Sequence, residues 1–249
     1  MSCVRRLRNG GEGMNILCID TTGPVAGAAL MQDGAITHEI TASHGLTHSE
    51  TSLPMVDDIL SAAGIEPKDI DLFAAVAGPG SFTGVRIGVA AAKGLAWPEG
   101  KLCAPCSTLE SMAWQCAHME GEICAVMDAR RNQVYHAQFL AHNGVLTRLS
   151  PDRAVPLSEV LEKIKKSKNP QILVGDGAAL CYNAGKSAGL ALTMAPPHLV
   201  YQTAWGVARA ALELARQGGL KSAGEIAPEY HRLSQAERER LERIENTKE

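Results

Sequence analysis

The sequence predicts an α/β protein in which one unit is used twice. Three observations point there. A short apolar run ending in aspartate occurs at 15–20 and again at 123–128, and each is followed by a hairpin. Each hairpin is followed by a helix, a strand and a helix. Aromatics make up only 4% of the 249 residues while glycine numbers 24, so the core is aliphatic and its helices pack closely.

In the first half, 15–19 ending in Asp20, then 25–31, the turn Gln32-Asp33-Gly34, and 35–41 read as three antiparallel strands. Residues 46–63 place Met55, Val56, Ile59, Leu60 and Ala63 at helical spacing, with Pro54 as a potential kink and Gly64 as the stop. A buried strand at 71–77, a glycine loop at 78–81 and a helix at 82–96 follow. Ser107-Thr-Leu-Glu110 is a capping box opening a helix to about 117.

The second half repeats the order: 123–127 ending in Asp128, 134–140, the turn Asn143-Gly144, and 145–149. A helix at 157–166, a strand at 172–174, a helix at 178–185 and a helix at 203–217 with Gly218 as its stop complete it. Three strands, helix, strand, helix occurring twice predicts the actin-like (ASKHA) duplicated two-lobed fold, with mixed sheets flanked by helices. The expected lobes are 14–118 and 119–233, preceded by a disordered extension at 1–13 and followed by a charged helix or tail at 234–249.

Composition narrows the function. Against 27 Asp and Glu, 24 Lys and Arg leave a net charge of −3, which argues against a basic nucleic-acid wrapper. No apolar run approaches the roughly 20 residues that span a bilayer, so a cytoplasmic protein without membrane contact is expected. The seven cysteines are an odd count scattered through apolar stretches, as reduced buried thiols would be. Cys103 and Cys106 form a C-x-x-C that admits a redox or half-zinc reading. A second Cys pair is absent and Pro105 falls in a strand-to-helix link, so packing is preferred.

In an actin-like core the aspartate and hydroxyls of the first hairpin hold a metal-bound nucleotide phosphate, and Asp20, Thr21 and Thr22 are the right types. A strand-end Asp satisfying a turn is the plainer alternative. The equivalent Asp128 is followed by Ala129, Arg130 and Arg131, where a phosphate-cradling hairpin needs glycine for close amide approach. Gly175 and Gly177 could approach an adenosine, although a strand followed by a glycine turn is common. These residues form a degenerate nucleotide site at which weak adenine-nucleotide binding is the most expected, and no cofactor is required.

The stretch from Ala77 to Gly88, A-G-P-G-S-F-T-G-V-R-I-G, is the most specific in the chain. Gly78 and Gly80 permit unusual dihedrals, Pro79 stiffens the turn, and Ser81 can cap a helix whose free amides suit an anion. Arg86 could assist, or be a solvated helical arginine. Glycine inside a helix costs about 1 kcal/mol relative to alanine, so Gly84 and Gly88 suggest close backbone approach, either to the protein's own sheet or to a partner helix. His44 and His48 are spaced like metal ligands, but Gly45 breaks the helix between them, no third ligand is visible, and no metal is expected. Hydrolase-elbow, zincin and P-loop motifs are absent.

At these residues the chain resembles the bacterial TsaB (YeaZ) family of tRNA threonylcarbamoyladenosine biosynthesis proteins. The likeness rests on I-L-C-I-D-T-T at 16–22, H-S-E at 48–50, L-P at 53–54, the 77–88 stretch and A-K-G-L-A at 92–96. It continues more loosely through M-D-A-R-R-N-Q-V-Y at 127–135 and P-E-Y at 228–230. The extension at 1–13 and the His44-Gly45 region depart from the pattern.

The resemblance implies an actin-like fold and a noncatalytic scaffold or activator of the related subunit TsaD. Together with the small ATPase TsaE, these transfer threonylcarbamoyl to N6 of adenosine 37 of tRNA, which this subunit would meet only through the complex. It also implies that the two first-lobe helices form a bundle with TsaD, or a homodimer when TsaD is absent. The expected interface comprises His48, Glu50, Leu53, Val56, Gly84, Val85, Gly88, Ala91 and Ala92. The catalytic relative's metal-binding histidine pair has no counterpart here. An active actin-like ATPase or sugar kinase and a peptidase stand as alternatives, disfavoured by Arg130-Arg131 and by the lack of an organised nucleophile.

Overall fold

The computed structural model describes residues 13–43 and 47–232. The sequence expectations for residues 1–12, His44-Gly45 and the tail at 234–249 lie outside the described residues. Three antiparallel strands open the chain: β1 (Asn15–Asp20), β2 (Ala26–Gln32) and β3 (Ala35–Ala42). Asp33 and Gly34 both adopt positive φ in the two-residue turn between β2 and β3, the turn that matches strand twist. Helix α1 (His48–Ala63) continues through Pro54 and stops where Gly64 turns left-handed at φ 67°.

Strand β4 (Leu72–Gly78), helix α2 (Phe82–Ala96), strand β5 (Leu102–Ser107) and helix α3 (Thr108–Gln115) follow. Only half of the expected capping box forms at α3. The Ser107 hydroxyl accepts from the Glu110 amide at 3.1 Å, while the Glu110 carboxylate turns away to Arg148.

The second half runs β6 (Gly121–Asp128), β7 (Gln133–His142), β8 (Val145–Arg148), β9 (Arg153–Pro156), α4 (Leu157–Lys166), β10 (Gln171–Val174), α5 (Ala178–Ser187), β11 (Thr193–Met194) and α6 (Ala204–Arg216), before a short β12 (Lys221–Ser222). The first sheet has the order β12-β5-β4-β1-β2-β3. The second has β11-β10-β6-β7-β8, with β9 on β7. Apart from β9 and β12 these are the same sheet twice: β1 and β6 are antiparallel to their hairpin partners and parallel to β4 and β10. The expected duplication is therefore present, and each half has one strand more than the sequence pattern showed, β5 and β11, ahead of the expected helices at α3 and α6.

The expected lobe boundaries need correction. Helix α6 packs on the first sheet, where Ala204, Val207, Ala208 and Ala211 meet Ile16, Cys18 and Val76. Strand β12 pairs with β5. Helix α3 sends Leu109, Met112 and Cys116 to the second sheet. Each half thus lends its last helix to the other, because those helices carry apolar residues on more than one side and bury them only between the sheets. The other face of the first sheet is covered by α1 and α2, and the other face of the second by α4 and α5. Cys103 and Cys106 sit in β5 with their side chains in different cores, as an odd spacing in a strand requires, so they do not form a pair.

Candidate functional site

The carboxyl ends of β1, β4, β6 and β10 converge on a cleft between the sheets, where ligands bind in open parallel sheets. A cavity of about 410 Å³ there is lined by Thr22, Ser81, Asp128, Arg130, Tyr135 and Asp176 among others. This is the position of the expected nucleotide site, and the structure brings Thr22, Gly80, Ser81, Asp128 and Arg130 to it.

Asp20 does not line it. Its Oδ1 accepts from the Thr22 amide at 2.9 Å and the Thr22 hydroxyl at 2.6 Å, while Oδ2 is buried without a partner. Burial pushes its carboxyl up to about 6, outweighing the two Thr22 bonds that favour the anion. Thr21 is turned inward as well, its hydroxyl donating to the Gly84 carbonyl at 2.7 Å. The strand-end alternative, an aspartate satisfying its own turn, describes this hairpin better than a cation-bridged phosphate cradle does.

The glycine loop also spends its freedom within the protein. A Cβ on Gly80 would lie 2.6 Å from the Thr22 carbonyl, whose oxygen already accepts from the Ser81 amide at 2.8 Å. A Cβ on Gly78 would lie 2.4 Å from the Glu229 carbonyl, and the Glu229 amide donates to Ala77 at 2.7 Å. Thr108 holds the loop by donating to the Pro79 carbonyl. Arg86 is committed to Tyr230, donating from Nε to the phenol oxygen at 2.7 Å, and Tyr230 stacks on Phe82 with centroids 4.1 Å apart. Of the expected anion seat, Ser81 caps α2 at the cavity wall while Arg86 is taken up by a later segment of the chain, a strap in which Arg232 also donates to the Ala129 carbonyl of the other hairpin.

In that second hairpin Arg130, Arg131 and Asn132 all have positive φ, 65°, 54° and 60°. The backbone keeps a conformation that glycine favours although glycine is absent, at a cost of about 1 kcal/mol or more per residue. The Arg130 amide is taken by Asp128 Oδ1 at 2.7 Å, so it does not face a ligand. Gly175 and Gly177 press against β6, where Cβ atoms would come within 2.1 Å of the Val126 carbonyl and 2.9 Å of the Met127 carbonyl carbon. In the structure both glycines allow close packing on the strand. Asp176, which sequence reasoning missed, accepts from the Asp128 amide at 3.2 Å, and burial together with Asp128 raises its carboxyl. The residues present therefore do not fit a metal-nucleotide. Among the described residues no group of three or more His, Cys, Asp or Glu is arranged to hold a metal ion.

The expected partner interface is also redrawn. Gly84 and Gly88 face β1: a Cβ on the first would lie 1.9 Å from the Thr21 carbonyl, and one on the second 2.7 Å from the Thr21 hydroxyl. Val56, Val85 and Ala92 are buried in the first-lobe core. His48 donates from Nε2 to the Gly23 carbonyl at 2.8 Å, tying α1 to the first hairpin. Only Glu50, Leu53 and in part Ala91 lie on the outer side of α1 and α2. There Gly94 has nothing within 4 Å of its missing Cβ. The helical period places both glycines on the inner face of α2, where the nearest neighbour is Thr21, directly after β1.

Two lobes with the same sheet order, meeting at their strand ends over a cleft, define an actin-like protein. The family model described as TsaD: tRNA N6-adenosine threonylcarbamoyltransferase matches residues 35–236. The tRNA threonylcarbamoyladenosine biosynthesis protein TsaB of Bacillus subtilis is 36% identical over 67% of this chain and 73% of its own, and that of Escherichia coli 34% over 72% and 78%. The crystal structure of a Pseudomonas aeruginosa protein with similarity to peptidase YeaZ superimposes with a TM-score of 0.77 at 22% identity, covering 88% of this chain and all of the other. The chain belongs to the TsaB (YeaZ) family. Among the described residues no helix is long and apolar enough to cross a membrane.

Proposed function

We propose that the protein serves in threonylcarbamoyladenosine biosynthesis on tRNA as a noncatalytic subunit that scaffolds and activates TsaD, with TsaE as the further partner. Family membership supports the pathway. The observation that supports the noncatalytic role is that the groups expected to hold a nucleotide are spent within the protein: Asp20 is turned inward, the glycine loop lies against Thr22 and Glu229, and the Arg130 amide is capped by Asp128. Any adenine-nucleotide binding is weak for the same reason, and tRNA is met through the complex in the cytoplasm.

The surface offered to TsaD, or to a second copy in its absence, is the outer side of α1 and α2, where Leu53 of α1 is 51% exposed and Ala90 and Gly94 of α2 are exposed as well. Small residues there let a partner helix approach closely. The test is copurification with TsaD and reconstituted tRNA modification. Wild-type protein is expected to bind TsaD and restore modification while hydrolysing no ATP alone, and Gly94→Arg to lose TsaD while keeping its melting temperature. ATP turnover by the isolated protein that Arg130→Ala abolishes would overturn the noncatalytic reading, and unaltered TsaD binding by Gly94→Arg would move the interface elsewhere.

A further inference from the structure

The two halves of the sequence differ in charge. Residues 14–118 carry eleven Asp and Glu against four Lys and Arg, whereas residues 119–203 carry seven against nine. Four of the nine are gathered at one place: Lys163, Lys165 and Lys166 in the last turn of α4, and Lys168 just beyond it. Among the described residues none of these four is in an ion pair. Glu159 of α4 pairs with Arg153 instead, which leaves Glu162 as the helix's one carboxylate to balance four ammonium groups. Cations in a last turn complement the helix dipole, which accounts for the first three lysines. Lys168 lies past the Ser167 cap and gains little from it.

The loop that carries Lys168 is pinned from within. Glu122 of β6 accepts at Oε1 from the Ser167 hydroxyl at 2.9 Å and the Asn169 amide group at 2.8 Å, and at Oε2 from Gln171 at 2.9 Å and from Gln138. Its four lone-pair sites are thus filled, and the Lys163 ammonium offsets its charge. A cavity of about 350 Å³ opens beside the loop, with Lys163, Lys166, Lys168 and Leu149 in its wall together with Glu122 and Gln138. Ammonium groups around a recess, on a loop already ordered, meet the oxygens of a phosphate at little further entropic cost. We propose that this end of the second lobe is a docking surface for RNA phosphates, where Lys165, Lys166 and Lys168 contact the backbone of the tRNA that the complex holds. The choice of RNA rests on the functional reading above. An anionic bilayer offers phosphates too, but a helix lying in a bilayer needs an apolar side to insert, and α4 spends Leu157, Val160 and Ile164 in the core. The loop leads into the amino end of β10, whereas the cleft lies at the carboxyl ends, and α1 and α2 belong to the other sheet. RNA docked here therefore competes with neither the cleft nor the surface offered to TsaD.

The test compares two variants of the full chain that lose the same charge, Lys166→Gln/Lys168→Gln at the patch and Lys68→Gln/Lys101→Gln in the first lobe. Fluorescence anisotropy of a labelled, unmodified tRNA reads binding at potassium chloride concentrations from about 50 to 200 mM, the span over which phosphate contacts show. Wild-type chain alone is expected to bind with a Kd of about 10–100 µM, the range of sequence-independent contacts. Loss of two phosphate contacts should lower the slope of log affinity against log salt by about 2, so the patch variant binds more weakly at low salt and loses about tenfold less affinity across that span. The first-lobe variant should match wild type, and both should keep their melting temperatures. In the reconstituted complex the patch variant should raise KM for tRNA while kcat and TsaD binding stay unchanged. Equal salt slopes in the two variants, or a patch that holds phosphatidylserine vesicles and not tRNA, would overturn the proposal. Wild-type protein that binds tRNA with the expected slope but does not bind TsaD would uphold the patch and overturn the functional reading.

Discussion

Gly84→Ala and Gly94→Ala exchange the same residues in the same helix and should have opposite effects. By helix propensity alone each substitution stabilises, by up to about 1 kcal/mol. At Gly94 nothing lies within 4 Å of the added methyl, so the full gain is expected. At Gly84 the methyl would lie 1.9 Å from the Thr21 carbonyl oxygen and 3.0 Å from its carbon, which are main-chain atoms immediately after β1 and not the end of a flexible side chain. Helix α2 must then move away from β1. That costs about 1–3 kcal/mol of overpacking and about 1 kcal/mol for the buried Thr21 hydroxyl bond to the Gly84 carbonyl, which is 2.7 Å long. Set against the propensity gain, the net loss is about 1–3 kcal/mol, or several degrees in melting temperature at roughly 2–4 °C per kcal/mol for a chain of this size. Urea and thermal melts of the two variants at low protein concentration read it. A Gly84→Ala protein as stable as wild type would refute the assignment of that face to β1 and return it to a partner helix.

Two further outcomes follow from single side chains at the cleft and the strap. Asp20 has its carboxyl raised to about 6 in the folded chain, so the folded state holds a proton that the unfolded state has released. Its contribution is therefore fully present below the ordinary aspartate range and is lost as pH rises through about 6; at neutral pH Asp20→Asn, which keeps the acceptor for Thr22, should stabilise by about 1–3 kcal/mol and flatten the pH–stability curve between about 4 and 6. A curve unchanged by the substitution would contradict this. Tyr230→Ala removes the ring stacked on Phe82 and the acceptor for Arg86, so hydrogen exchange at the Glu229 amide should quicken while exchange within β1 stays slow; equal rates in both proteins would mean the strap is held by other contacts.

The elements were legible wherever a local rule sets them. Gly64 and Gly218 stop helices in the left-handed conformation, Asp33-Gly34 and Asn143-Gly144 turn hairpins, and α4 spans the residues its apolar spacing marks. Strands β5, β9, β11 and β12 were not, because Pro105 breaks the pattern of the first and the others run for two to four residues, too short for alternation to register. The cleft residues were legible by type but not by partner. Asp20 reads as a ligand in sequence, and only the Thr22 bonds show it serving its own turn. Gly84 and Gly88 signal close approach without saying to what, since propensity reports the missing Cβ and not the neighbour that requires it. The strap was visible only as P-E-Y.

The two hairpins at the cleft keep one geometry while their turns take up different partners. β1–β2 and β6–β7 hold the same place in the same sheet order, and each turn begins at an aspartate whose Oδ1 accepts from an amide two residues on, Thr22 in one and Arg130 in the other. That shared Asx bond is local, so it survives in both halves whatever faces them. Beyond it they diverge. The first turn accepts Gln202 at Gly23, where a Cβ would overlap the glutamine amide, and the second accepts Arg232 at the Ala129 carbonyl. Both insertions come from the segment after α5, the part of the chain that returns across the second lobe to the first. A chain that plugs each turn with its own later residues ties the lobes together through the cleft, and a hinge tied in that way opposes the opening that a nucleotide cycle requires. It leaves the outer faces of the helices as the surfaces free to act, which is the physical ground for reading the molecule as a rigid platform for a partner.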